Sequence, residues 1–522
     1  MNIPSRPFKI LALAPFRPME EVAWSEDPIR VHKTDLDGVI RGLGIMIHLP
    51  IPGDFCHVEG LDITFNRLKD FHPDGLVRNS PFLNNILDVR CIVEDAAQKG
   101  LSPREIINQL QERPDLPSIE IPVEHEKTDM HSRSSVDDIL NMVALPEGLP
   151  SPPAKIIPLI SQIDAILQQI LKHIFSYEKF REQEAVWRGL RLLMEQGGMG
   201  GDVSIEIVPI SLDTLDETLR NLLGGLVQDL PSLIIIDLPF DSSPRSLDLL
   251  EKSAEFSEAL LVPVVSWINH RFLHLDNWHD LKKRPFLPHY FNGPAFAKWR
   301  RLRNDPVSRW LTVTCNRVLV RYPYGENNKP RTVQFQEHHN LWVSPVWAIG
   351  ALIGQSHVKT GWPTRFTDWR VIRLKNLACN ATSGRMRVST ETELSDERIH
   401  QFISSGITPL VPFTSEDTAF APAETTVAGT SLCHQLLLSR LAHFIIWCKD
   451  NFKGGLKPAE IEKDLRQAVS LFWERSGHPS PEDLEIRAGH PNNEGRIPLQ
   501  FLLTPSLQVL PSRERIEMEF YW

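Results

Sequence analysis

The sequence predicts an α/β (α+β) chain in which mixed sheets are flanked by helices. Two observations carry this. Apolar strand-like runs at Val203–Ile210, Leu233–Leu238 and Leu260–Ser266 alternate with helical runs at Leu212–Leu223 and Ser246–Phe256, the pattern of a sheet covered by helices. Helical patterns at Trp342–His357, Ser431–Asn451 and Pro458–Trp473 then mix with strand patterns near Leu499–Leu503 and Ile516–Trp522, and no fixed repeat links them.

Further elements precede that block. Lys9–Ala14 reads as a buried strand, Ile29–His32 as a short one, and Asp35–Ile40 as a short helix opened by acids. Alternation over His57–Phe65 suits a half-buried strand. Asp74 and Ser80 are candidate helix caps, with Pro81 placed for a first turn. Prolines 114, 117, 122, 146, 150, 152 and 153 then punctuate a polar, acid-leaning stretch, which reads as a linker. The expected organisation is therefore a domain at 1–110, a Pro-rich linker at 111–155 and a large region at 156–522. That region opens on a long helix whose Ile160, Ile163, Leu167, Ile170, Leu171 and Ile174 share one face. The stripe suits either a core helix or a helix offered to a partner's groove. A second amphipathic segment, Phe180–Met194, ends at Gly197–Gly201.

The 522 residues suffice for about three domains. An apolar share of 42% supports globular cores, and a net charge of −10 argues against a dedicated nucleic-acid binder. Six scattered cysteines without a CxxC pair point to a reducing compartment rather than a disulfide scaffold. No uncharged apolar run reaches membrane-spanning length. The apolar start, Ile10–Ala14, is too short for a signal peptide and is followed at once by Pro15 and Arg17.

One stretch runs against the overall charge. Residues 295–325 carry Lys298, Arg300, Arg301, Arg303, Arg309, Arg317 and Arg321 against the single acid Asp305, interleaved with Trp299, Trp310, Tyr322 and Tyr324. This is the composition of a nucleic-acid surface. It is equally that of arginines pairing with carboxylates and lying on tryptophans within a fold. For catalysis the signals are thin. His270, His274, Asp276 and His279 form the best metal-like grouping, but the motif glutamate is missing. Gly197–Gly201 follows a helix and precedes a strand, the reverse of a phosphate loop. Asp237 and Asp241 flank a strand end without a companion base. No catalytic, cofactor or metal residue is therefore assigned.

From Phe180 onward the chain resembles the large sheath subunit of bacterial type VI secretion systems. The resemblance rests on Trp187-Arg188-Gly189-Leu190, then SPRSLDLLEKSAEFSEALLVPVVSW from Ser243, FLHLDNW and AFAKWRRLRNDPVSRWLTVTCNRVLVRYPYG. HNLWVSPVWAIGALI, GITPLVPF and LLLSRLAHFI complete it, in that order. It extends over about 156–522. PFKILALAPFRP and DFHPDGLVRNSPFLNNIL resemble the small sheath subunit, so a fusion of two usually separate subunits is implied, joined at 111–155. Asp237-Leu238-Pro239-Phe240, the region between Trp362 and Glu391, and the C-terminal part between Trp473 and Leu499 depart from the family pattern.

The resemblance implies a contractile-tail-sheath-like fold and a structural role without enzyme activity or cofactor. Subunits would polymerise as six-fold rings of a helical tube around an inner tube protein. Contraction on a baseplate would drive the tube and its spike through a target membrane. It implies a bacterial cytoplasmic location beside a membrane-anchored baseplate, with no nucleic acid and no membrane insertion. It also implies strands exchanged between subunits, for which Phe8, Ile10, Leu11 and Leu13 at one end and Ile516, Met518, Phe520 and Trp522 at the other are the candidates. The alternative is that each strand completes its own sheet. A recycling AAA+ unfoldase would dock on Ile163, Leu167, Ile170, Leu171 and Ile174. Trp187, Arg188, Gly189, Trp299, Arg300, Arg309, Pro323, Gly325, Arg440 and His443 would be structural motif residues. In that setting Arg300, Arg301 and Arg309 should face carboxylates. The competing function is a nucleic-acid-binding protein using residues 295–325.

Overall fold

The computed structural model describes residues 7–18, 27–51, 60–99, 153–326, 328–381, 387–452, 457–481 and 483–522. Most of the expected linker lies outside these residues. The chain forms two compact units: residues 1–34, 185–321 and 342–522 make one, and 35–184 with 322–341 make the other. They do not follow the division at 111–155, because segments from both sides of that stretch contribute to each unit.

In the first unit a seven-stranded sheet holds strands β1 (Phe8–Ala14), β2 (Ile29–Val31), β5 (Val203–Pro209), β6 (Leu233–Phe240), β7 (Val264–Ile268), β8 (Leu311–Cys315) and β13 (Ile407–Pro409). Their order is β13-β8-β7-β6-β1-β5-β2. All neighbours are parallel except β2, which runs antiparallel to β5. Helices α6 (Leu215–Leu226) and α7 (Pro244–Leu260) supply crossovers, as parallel pairing requires. β1 is buried at every position, which explains the apolar run Ile10–Ala14, since a strand in a doubly covered parallel sheet has no polar face; its one charged residue, Lys9, pairs with Glu206 at 2.7 Å and Asp229 at 2.8 Å.

A one-turn helix α8 (Leu287–Tyr290) leads to α9 (Ala297–Asn304), and α10 (Pro345–Thr360) is buried nearly throughout. The expected helix at Trp342 starts later. Trp342–Val343 is strand β10, paired with β9 (Val318–Leu319), and α10 begins after Ser344 with Pro345 in its first turn. Short pairs β11 (Asn380–Ala381) with β12 (Arg387–Val388) and β14 (Val411–Pro412) with β15 (Ala419–Phe420) flank α11 (Asp396–Ser404). Helices α12 (Leu432–Asn451) and α13 (Pro458–Arg475) precede a three-stranded antiparallel sheet of β16 (Glu485–Ala488), β17 (Pro498–Leu503) and β18 (Ile516–Tyr521).

The second unit contains α1 (Leu36–Leu43), the hairpin pair β3 (Ile45–Leu49) and β4 (Leu61–Phe65), α2 (Pro73–Asn79), α3 (Pro81–Lys99) and α4 (Pro153–Ser176). The start of α5 (Glu178–Gln196) also belongs to it, the boundary falling within that helix. An aromatic cluster fills its core. Phe65 stacks on Phe71 at 4.2 Å, and Phe180 packs against both and against Phe175, which meets Tyr324 and Phe335. Asp74 does not cap α2; His72 does. The Asp74 carboxylate instead accepts the Arg331 and Thr332 N–H groups at 2.9 Å and the Thr332 hydroxyl at 2.6 Å.

Candidate assembly surfaces and their framework

Trp187 and Gly189 of the sequence motif lie in a packed part of the first unit. Trp187 donates its indole N–H to the Phe16 carbonyl at 3.1 Å and packs on the Phe16 ring. Two residues on, Gly189 leaves room for another side chain: a Cβ there would lie 2.3 Å from Cδ1 of Trp347. Trp347 donates to one carboxylate oxygen of Asp237 at 2.6 Å, and Trp267 donates to the other at 2.8 Å. Asp237 is buried, and its burial pushes the carboxyl up against the opposing hydrogen bonds from Ser344, Trp347 and Trp267. It is thus a structural hub linking α10 to β6 and β7. Nothing in the sequence pairs it with Trp347, 110 positions away.

α12 does similar work for β1. The Arg440 guanidinium lies 5.8 Å from the Phe8 ring centroid, and His357 of α10 lies 5.3 Å from the same ring. His443 bonds the Leu260 carbonyl at 2.9 Å, tying α12 to the end of α7. In the second unit Gly325 adopts φ 147°, a conformation that favours glycine, and pairs with Asn328 across a tight turn beside Pro323.

The basic–aromatic stretch resolves into a surface zipper over a buried frame. Trp299 and Trp310 are 0% and 1% exposed, so neither ring is offered to a base. Arg301 donates to both oxygens of Glu251 at 3.0 and 2.9 Å, Arg309 pairs with Glu258 at 3.1 Å, and Lys298 pairs with Asp248. These acids sit on α7 at positions 248, 251 and 258, one helix face. That spacing is the signal in the sequence that could have identified the partners. Arg317 forms a two-point pair with Glu391 at 2.7 and 2.8 Å. Arg300 departs from expectation: it donates to the carbonyls of Phe291 and Gly293 rather than to a carboxylate. The nucleic-acid reading of 295–325 is unsupported: Trp299, Trp310 and Tyr324 are core, Tyr322 alone of the four rings is exposed, and Lys298, Arg301, Arg309 and Arg317 are matched by carboxylates.

The histidine grouping does not share a helix face. His270–Leu273 forms a short 3₁₀ turn, and His274 closes it at φ 52° with its ring nitrogens on Ser242 at 3.0 Å and Tyr290 at 2.9 Å. No group of His, Cys, Asp or Glu with metal-binding geometry occurs among the described residues.

The two sets proposed for partner contacts are also placed. Ile163, Leu167, Ile170, Leu171 and Ile174 are all buried in the second unit, where α3 lies along α4 and Arg90 pairs with Asp164 at 2.5 Å. The stripe is a core face in the folded chain. Phe8, Ile10, Leu11 and Leu13 lie at the sheet centre, with β5 on one edge of β1 and β6 on the other, so that strand completes its own sheet. β18 differs: β17 occupies one of its edges, and the other is unpaired among the described residues. Glu517, Glu519 and Tyr521 are exposed there.

A family model described as VipB: EvpB/VC_A0108, tail sheath N-terminal domain, matches residues 158–225 and 230–428. The chain belongs to this VipB tail-sheath family. The type VI secretion system sheath protein TssC1 of Pseudomonas aeruginosa is 25% identical over 414 residues, covering 67% of this chain and 82% of TssC1. Among solved structures, a chain of the anti-feeding prophage (AFP) baseplate aligns at TM-score 0.35 and 12% identity, over 65% of this chain and 76% of that one. The sheath tail protein Lin1278 of Listeria innocua aligns at TM-score 0.33 and 10% identity, over 62% and 61% respectively. As a VipB-family member the chain is a structural sheath subunit of the contractile-tail and type VI secretion class. No helix among its described residues is long and apolar enough to cross a membrane.

Proposed function

We propose that this chain is a single-chain sheath protomer that polymerises into a helical tube around an inner tube, on a baseplate in the bacterial cytoplasm. Its contraction drives the inner tube and spike through a target membrane. The N-terminal segment plays the part of the small subunit and the rest that of the large one. The observation that carries the fusion reading is the central place of β1: a strand from before the linker sits between β5 and β6 from after it. Two polypeptides sharing a sheet in this way are poised for covalent joining, because their pairing already fixes both ends.

β18 is the strand we assign to exchange between copies. Trp522 exchanges backbone hydrogen bonds with Ile497 in both directions, so the antiparallel ladder makes Met518 and Phe520 bond to β17 and turns the N–H groups of Glu517 and Glu519 to the open edge. Main-chain pairing along that edge would hold neighbours together while side-chain contacts rearrange. The exposed glutamates guard the edge against indiscriminate pairing.

Replacement Glu519→Pro tests this. It removes an outward N–H and spares the ladder to β17. Loss of assembly with an unchanged thermal melt is the expected outcome; assembly equal to wild type refutes strand exchange at β18. An AAA+ unfoldase remains a partner on the family resemblance alone, and engagement through the α4 stripe would require α4 to leave its unit.

A further inference from the structure

A second exposed surface in the first unit has the chemistry of an interface. Trp369, 40% exposed, packs 5.4 Å from Phe413 and 6.2 Å from Phe420, and Phe413 lies 4.6 Å from Phe420. Two arginines lie on this aromatic shelf, Arg370 at 5.4 Å over Trp369 and Arg373 at 5.9 Å over Phe413. Lys359 donates to the Val371 carbonyl at 2.9 Å, and Lys375 is held through its backbone by Gln196 at 2.8 and 3.0 Å. Val358 and Val371, 51% and 52% exposed, complete the surface. Among the described residues none of the four cations forms an ion pair, and Glu416 in the adjoining turn is turned onto Thr418. Burial and Lys375 both disfavour the charge on Lys359. By contrast Arg301, Arg309 and Arg317 are each matched by a carboxylate.

We infer that the Trp369–Lys375 shelf is the surface on which a second copy of this chain docks, bringing carboxylates to Arg370, Arg373 and Lys375. This rests on the sheath reading above, which makes copies the abundant neighbours. Charge selects the same occupant: the chain carries 66 acids against 56 Lys and Arg, so another copy is acidic on balance and complementary to this patch. Trp and Arg set among exposed apolar groups are the residue types on which interface energy concentrates. A contact between this shelf and a different surface of the next copy is heterologous, the kind that propagates an open helix.

The test uses the full chain. Arg370→Glu with Arg373→Glu should raise the concentration needed for self-association by about tenfold or more, and Trp369→Ala should act in the same direction, with both variants melting as wild type does. A photo-crosslinking amino acid at position 371 should give a covalent dimer of the chain. Wild-type assembly with unaltered assembly of both variants overturns the inference and leaves the sheath reading standing. Absence of any wild-type assembly contradicts the sheath reading itself. A position-371 crosslink only to another acidic protein, or loss in the variants of binding to a DNA probe, would assign the shelf to another partner and overturn the inference too.

Discussion

Gly189 and Trp347 occupy one space: the hydrogen of the glycine faces the indole where any Cβ would stand 2.3 Å from a ring carbon. Since Trp347 is also a donor to buried Asp237, the glycine, the tryptophan and the carboxylate form one dependent set. Gly189→Ala must displace the ring and leave Asp237 short of a donor. We expect Gly189→Ala to fail to accumulate as folded protein, whereas Gly42→Ala in α1, where nothing lies within 4 Å, should hold or raise stability by up to about 1 kcal/mol. Circular dichroism melts of the two variants check this.

Trp347→Phe isolates the hydrogen bond from the space it fills. It keeps most of the apolar volume and removes the N–H that meets Asp237. A buried carboxylate losing one of its donors should cost about 1–3 kcal/mol, read as a lower denaturant midpoint with an unchanged slope.

The α4 stripe should give an outcome opposite to the one the family resemblance implies. Ile163→Asp with Ile170→Asp places two carboxylates in a closed core, so unfolding of the second unit by more than about 4 kcal/mol is expected. Limited proteolysis should then release fragments from residues 35–184. A variant as protease-resistant as wild type would mean that the stripe is not core.

Acid should weaken the first unit through His357. Burial, aided by the Arg440 charge, lowers this imidazole from 6.5 to about 3. Folding therefore holds it neutral while the unfolded chain takes up a proton. The stabilisation is complete above pH 6.5 and is lost as pH falls toward 3, at up to about 1.4 kcal/mol per pH unit for one proton. His357→Leu cannot titrate, and its melting temperature should fall less steeply between pH 6.5 and 5 than that of wild type.

The zipper between α7 and α9 is a modest contributor. Arg301 and Glu251 are 67% and 23% exposed at their side chains, so Arg301→Ala should cost less than about 1 kcal/mol, and less still in high salt. A drop well beyond that in a urea titration would show that the pair carries more than surface geometry allows.

Much of this was legible because it is local. The β1 apolar run and the helix–strand alternation from Val203 each follow from period and composition. Ser431 capping α12 and Ser243 capping α7 are equally short-range. What the sequence hid was long-range. The same apolar stripe on α4 suits a core or a groove, and only the place of α3 beside it decides. Arg300 carries no mark distinguishing a carbonyl partner from a carboxylate one. Asp237 reads as a strand-end carboxylate until two tryptophans from distant segments close over it.

The central claim is that this VipB-family chain alone is a polymerising sheath protomer. Negative-stain electron microscopy of the purified full-length protein tests it most directly. Rods or cog-wheel rings of six-fold symmetry are the predicted result; a field of dispersed monomers at every concentration and salt condition would contradict it.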